Sequence, residues 1–119
     1  MRKISEKQIE RNKLKVENTK ILHKLFLEIW DEREDESGYC YCFETNTPMH
    51  GSKYRGNTCC YDHVLEKGEN SYPEYSLKKK NIIIILPDIH NNKGRDIDST
   101  PRIKKYREEL LKLHEKGEL

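Results

Sequence analysis

The apolar residues of this chain are concentrated in a few short segments separated by long polar ones. In the first third they recur at three- and four-residue spacing, as on one face of a helix: Leu14, Ile21, Leu22, Leu25, Phe26, Ile29 and Trp30. Ser5 and Gln8 form a capping-box pattern, and no Pro or Gly follows before Gly38. We therefore predict a long helix that begins near Ser5, packs through its second half and ends in the acidic segment 31–36.

Short apolar segments after Gly38 predict strands. The aromatic segment Tyr39-Cys-Tyr-Cys-Phe43 ends at the turn residues Asn46-Thr-Pro48, and a second short strand is predicted over Thr58–His63. The two strands would form a hairpin, with a polar loop over His50–Asn57 between them. After an irregular loop, Asn81-Ile-Ile-Ile-Ile-Leu86 has the character of a buried strand. Asp88 then predicts the cap of a short helix that starts near Ile89.

A last helix is predicted after Thr100-Pro101, which supply an N-cap and a first-turn proline. One face of this helix would carry Ile103, Tyr106, Leu110 and Leu113, and Gly117 would end it. The predicted order is helix, hairpin, loop, strand, short helix and helix, which is an α+β class. At 119 residues we expect a single domain, divided into an N-terminal helix (1–36), a core (37–98) and a C-terminal helix (99–119).

Charge and hydropathy limit the classes of function. Charged residues make up 37% of the chain and mean hydropathy is −1.03, yet the formal net charge is only +2, so a phosphate-binding surface must be local. The N-terminus lacks the apolar segment of a secretory signal, and the aliphatic run Ile82–Leu86 is too short for a bilayer. We expect a soluble cytoplasmic protein without a membrane partner. The basic first half of helix one could contact phosphates or a second copy in a homodimer, although a solvated face is commoner.

The chemistry-bearing residues are an adjacent carboxylate and imidazole (Asp62, His63), an amide at the start of the buried strand (Asn81) and a second imidazole (His90). Hydrolysis of a phosphodiester requires an activated water and a positive charge near the phosphate. An imidazole titrates near neutral pH, so His63 is suited to act as general base. Asp62 and His90 could hold one divalent ion with most of its coordination sphere open to substrate.

In this order and context, these residues resemble the ββα-metal core of HNH endonucleases. The resemblance covers Tyr39 to Arg95: Asp62-His63 match the first element of the motif, Asn81 the middle Asn and His90 the final His. The segment Tyr72-Pro-Glu-Tyr75 is also similar to small phage and prophage members. The fold implied is an HNH-like core flanked by a long N-terminal helix and a C-terminal helix. A phage protein of this kind would act in the host cytoplasm.

The resemblance implies a metal-dependent endonuclease that acts on DNA, with double-stranded DNA as the expected substrate. The cofactor would be one divalent ion, Mg²⁺ or similar, held by Asp62 and His90. Asn81 would brace the loop and help to fix the His63 ring. Lys93 and Arg95 could contact flanking phosphates, which positions DNA without reading its sequence.

Two departures from the family pattern leave an alternative open. Some HNH proteins have a further ligand one turn after the last His, where this chain has Gly94. Many have zinc-binding Cys-x-x-Cys knuckles, and Leu86 and Ile89 occupy the positions of the second knuckle. The alternative function is therefore a catalytically weak or inactive HNH-fold module that binds nucleic acid or a protein partner.

The four cysteines occur as Cys-x-Cys and Cys-Cys: Cys40, Cys42, Cys59 and Cys60. These gaps fall outside the usual spacing of zinc ligands, so we favour buried thiols, with a structural Zn²⁺ site as the alternative. A third hypothesis for the function of the chain is a structural zinc module. The remaining histidines show no partner pattern. We predict His23 and His114 on helix surfaces and His50 in a loop.

Overall fold

The computed structural model describes residues 6–68, 71–95 and 97–119, without the side chains at positions 12, 14, 15 and 92–95. The helices are α1 (Glu6–Arg33), α2 (Gly51–Tyr54), α3 (Pro87–Arg95) and α4 (Pro101–Glu115). The strands are β1 (Tyr39–Tyr41), β2 (Pro48–His50), β3 (Tyr61–His63) and β4 (Ile82–Ile84). Single 3-10 turns lie at Thr58–Cys60, Pro73–Tyr75, Lys79–Asn81 and Ile97–Ser99. Helices combined with small antiparallel sheets agree with the predicted α+β class.

The strand pairing differs from the predicted hairpin. β1 pairs antiparallel with β2, and β3 pairs antiparallel with β4, so segments 39–43 and 58–63 belong to different sheets. The residues of β2 were predicted as a turn and a polar loop, and α2 was not predicted. The reversal is short because Asn46 adopts a positive φ of 59°, a conformation that Asn tolerates better than most residues, which brings Pro48 opposite Tyr41.

Helix α1 packs on the rest of the chain through its second half, as predicted. Leu22, Phe26, Ile29 and Trp30 are buried, and the Phe26 ring stacks on Tyr61 with 4.5 Å between centroids. Ile21, predicted in the same stripe, is 51% exposed. At the end of the helix, the Arg33 guanidinium donates to the carbonyls of Ile82 at 2.9 Å and Lys79 at 3.1 Å, which ties α1 to β4.

Strand β4 is completely buried in the hydrophobic core that the described residues form. Asn81 to Ile85 are all buried, in agreement with the predicted buried strand. Helix α3 begins two residues earlier than predicted, at Pro87, because proline is favoured in the first turn of a helix. Strands β3 and β4 and helix α3 therefore form an antiparallel hairpin followed directly by a helix.

Helix α4 begins after Thr100, as predicted, but a different residue caps it. The Thr100 hydroxyl donates to the Ile97 carbonyl at 3.0 Å. The first-turn N–H groups of Arg102 and Ile103 instead donate to the two carboxylate oxygens of Glu44, at 3.2 and 2.9 Å. Ile103 and Leu110 enter the core. Glu44 lies far away in sequence, in the β1–β2 connection, so local sequence could not indicate this cap.

Candidate active site

The β3–β4 hairpin and α3 bring the predicted site residues together. Asp62 and His63 end β3, where they pair with Ile83 and Ile82 of β4. Because α3 starts three residues after β4 ends, its first turns lie close to β3. The result is that Asp62 Oδ1 lies 3.4 Å from Nε2 of His90. Asp62 is buried, whereas the His90 side chain is 38% exposed.

The ring of His63 is oriented by a backbone carbonyl. Its Nε2 lies 2.8 Å from the oxygen of Ser76, in the loop between β3 and β4. A carbonyl can only accept, so Nε2 must donate, and in the neutral ring Nδ1 is then the nitrogen with the lone pair. The Phe26 ring lies beside the imidazole, with 6.1 Å between centroids. The structure thus favours one tautomer of His63.

Asn81 joins the two ends of the loop that carries Ser76. Its amide nitrogen donates to the carbonyls of Leu65 at 3.0 Å and Tyr75 at 3.2 Å, and its oxygen accepts from the Leu65 N–H at 2.7 Å. The side chain is fully buried. These three hydrogen bonds hold Leu65 and Tyr75 of the loop next to the start of β4. Asn81 reaches the His63 ring through the loop, because Tyr75 directly precedes Ser76.

A cleft of about 670 Å³ opens beside these residues. Asp62, His63 and His90 line it on the side of β3 and α3. The opposite wall is α1, which contributes Thr19, Leu22, His23 and Phe26. His23 is exposed on its helix as predicted, but it also lines the cleft, and no local sequence pattern indicated this position.

Two further charged side chains at the cleft, Glu66 and Lys67, come from the loop that follows β3. Lys67 is exposed there and was not singled out from the sequence. The neighbouring Glu66 lies 3.5 Å from the guanidinium of Arg107 on α4. Lys93 and Arg95, predicted to contact DNA, lie outside the side chains that the structure describes. Among the described side chains, Lys67 is therefore the basic residue that is observed at the cleft.

The Asp62–His90 pair offers one carboxylate oxygen and one imidazole nitrogen to a divalent cation, with 3.4 Å between Oδ1 and Nε2. Two ligands at about 2.0–2.1 Å from one octahedral ion stand roughly 3 Å apart. Carboxylate oxygen suits Mg²⁺ and Mn²⁺, and imidazole nitrogen suits transition-metal ions. Among the described side chains, no group of three or more His, Cys, Asp or Glu residues is placed to hold a metal. A site with two protein ligands is thus the arrangement that these residues could provide.

The cysteines are all free thiols in the structure. Cys40, Cys42 and Cys60 are buried and Cys59 is exposed. Burial raises the pKa of Cys40 and of Cys60 to about 11, so both remain protonated at neutral pH in the metal-free chain. Cys40 Sγ lies 3.6 Å from the Trp30 carbonyl, and Cys42 Sγ accepts from the Leu86 N–H at 3.5 Å. The structural zinc alternative stays a prediction.

Two further histidines have structural partners. His50, predicted in a loop, ends β2 and caps α2 by accepting from the Ser52 N–H at 3.2 Å. His114, predicted on a helix surface, is half-buried, and its Nδ1 is hydrogen-bonded to the hydroxyl of Tyr75. The surface prediction for His114 is therefore wrong. The two residues are separated by 39 positions, so only the tertiary fold brings them together.

The chain matches no protein-family model, no curated protein and no solved structure. Within the described residues, none of the helices has the length and apolar content that a membrane span requires. The function is therefore inferred from the geometry of the cleft and the chemistry of its residues.

Proposed function

We propose that this protein is a metal-dependent HNH-type endonuclease that hydrolyses DNA phosphodiester bonds in the cleft between α1 and the β3–β4–α3 unit. The observation that carries the proposal is the convergence of Asp62, His63 and His90 on one cleft from a hairpin and the helix that follows it. Each residue type alone is common on protein surfaces. An acid–imidazole pair that can hold a cation, beside an oriented imidazole, supplies the two functions needed to hydrolyse a phosphodiester: activation of water and positive charge near the phosphate.

His63 is the general base in this mechanism. Donation from Nε2 to the Ser76 carbonyl leaves the lone pair of the neutral ring on Nδ1, and Nδ1 accepts the proton of the attacking water. General-base catalysis of this kind contributes roughly 10²- to 10⁴-fold to rate. Because the carbonyl fixes the tautomer, the ring need not reorganise before the proton is transferred.

Asp62 and His90 would hold the divalent ion, Mg²⁺ or similar. The ion supplies positive charge to the phosphate and to the leaving 3′ oxygen when it is bound. Burial of Asp62 beside His90 keeps the carboxylate oriented toward the cleft residues. Lys67, with Lys93 and Arg95 as predicted further contacts, positions the DNA backbone through its phosphates.

Double-stranded DNA is the proposed substrate, and the proposed compartment is the cytoplasm. A chain with one such cleft cuts one strand in each encounter. Double-strand breaks therefore require two encounters or a homodimer that presents two clefts. Nicked circles should accordingly form before linear molecules, and the ratio of the two products reports which case applies.

The experiment is cleavage of supercoiled plasmid with Mg²⁺ or Mn²⁺. Wild type should nick the plasmid, EDTA should abolish nicking, and His63→Ala should lower the rate by about 10²-fold or more through loss of the general base. His50→Asn is the matched control, because it replaces a histidine that caps α2 and is not among the described residues that line the cleft.

Metal binding is measured separately by titration calorimetry. Asp62→Ala and His90→Ala should each weaken binding of Mn²⁺, whereas His63→Ala should leave it in place. Folded wild-type protein that neither binds a divalent ion nor cuts DNA would overturn the endonuclease proposal and favour the module that binds nucleic acid or a protein partner. Tightly held zinc after purification would favour the structural zinc module.

A further inference from the structure

The last turns of α4 contact the loop that orients His63. The Tyr75 hydroxyl is hydrogen-bonded to Nδ1 of His114, and the His114 ring meets the rings of Tyr75 and Tyr72 edge-on, at 5.5 and 5.3 Å between centroids. Tyr75 is only 9% exposed. Nearer the start of α4, the Tyr106 hydroxyl donates to the Lys80 carbonyl. Helix α4 therefore fixes the β3–β4 loop at two points.

Tyr75 is fixed from two directions. Its hydroxyl binds His114, and its own carbonyl accepts from the Asn81 amide at 3.2 Å. The next residue is Ser76, whose carbonyl accepts from Nε2 of His63 at 2.8 Å. A change in the position of Tyr75 therefore shifts the Ser76 carbonyl, to which Nε2 of His63 donates.

We propose that Tyr75 and His114 form a positioning pair that sets the tautomer and orientation of His63 through the Ser76 carbonyl. Neither residue is among the described residues that line the cleft, so the pair acts through Ser76 and does not touch substrate. The catalytic consequence rests on the proposed function. The effect on the His63 ring does not, because it can be measured without DNA.

The pair can be dissected by closely related variants. Tyr75→Phe keeps the buried ring and removes only the hydroxyl. His114→Leu removes the hydrogen-bond partner of the Tyr75 hydroxyl and keeps comparable bulk. His114→Asn places a polar group near the position of Nδ1 and should retain the hydrogen bond to the Tyr75 hydroxyl. His50→Asn serves as the control for replacing a histidine elsewhere.

The experiment has two readouts on the full chain. Long-range ¹H–¹⁵N NMR of the His63 ring reports which nitrogen carries the proton. In Tyr75→Phe and His114→Leu the population with the proton on Nε2 should fall, and kcat for plasmid nicking should fall about tenfold with KM changed less than twofold. His114→Asn and His50→Asn should stay within about twofold of wild type in kcat.

The outcomes separate this inference from the proposed function. If wild type cuts DNA and both Tyr75→Phe and His114→Leu retain the wild-type tautomer and kcat, the positioning pair is overturned and the endonuclease stands. If the tautomer changes in these variants but wild type cuts no DNA, the pair stands and the endonuclease falls. Should His114→Leu fail to fold, the conservative Tyr75→Phe decides between these outcomes.

Discussion

At the scale of single residues, Asn81 shows how one side chain serves stability and the site together. Its amide satisfies the backbone N–H and carbonyl of Leu65 and the carbonyl of Tyr75, all inside the core. Buried backbone groups cost free energy when they lose their partners. The resemblance implies a brace at this position, and the hydrogen bonds of Asn81 join segments at the two ends of the loop that carries Ser76.

Asn81→Ala should lower the free energy of unfolding by about 2–4 kcal/mol, because it leaves these three backbone groups without their side-chain partner. Asn57→Ala is the matched control. Its side chain accepts a single hydrogen bond, from the exposed Cys59 N–H at 3.0 Å, and the expected loss is about 1 kcal/mol or less. Urea denaturation measures both. Equal losses would contradict the bracing role.

At the scale of elements, the sequence predicted those with local signals. The apolar spacing of α1, the aliphatic run of β4 and the Thr100-Pro101 start of α4 are each patterns within one continuous segment of the sequence. Strand β2 was missed because its three residues include Pro48 and only Met49 is buried, so no apolar alternation marks it. Contacts between residues far apart in the sequence, such as Glu44 with α4 or Tyr75 with His114, produce no local sequence pattern.

The cap of α4 tests one of these distant partners. Glu44→Ala should lower the free energy of unfolding by about 1–2 kcal/mol, because the first-turn N–H groups of Arg102 and Ile103 lose a charged acceptor. Glu44→Gln keeps an oxygen acceptor without the charge and should cost less than half as much. Thermal unfolding followed by circular dichroism measures both. If Glu44→Ala is as stable as Glu44→Gln, the cap contributes little.

At the scale of the whole molecule, the three candidate residues were singled out by their types and order, and the strand pairing that brings them together was not predicted. Asp62, His63 and His90 come together because β3 pairs with β4 across the loop 64–81, whereas the apolar pattern predicted a hairpin of segments 39–43 and 58–63. The opposite wall of the cleft is α1, which lies about forty residues earlier in the chain. The contributions of Thr19 and His23 could be recognised only once α1 was packed against β3.

Helix α1 has both buried and exposed positions, and two of its isoleucines test this difference. Ile29 is fully buried, and Ile29→Ala should lower the free energy of unfolding by about 2–5 kcal/mol. Ile21 is 51% exposed, and Ile21→Ala should change the free energy of unfolding by less than about 0.5 kcal/mol.

Urea unfolding at two protein concentrations measures both variants. If Ile21→Ala loses more stability than expected, the dependence on protein concentration distinguishes two explanations. A large, concentration-dependent loss in Ile21→Ala would mean that a second copy of the chain covers this face of α1. A large loss independent of concentration would contradict the exposure of Ile21.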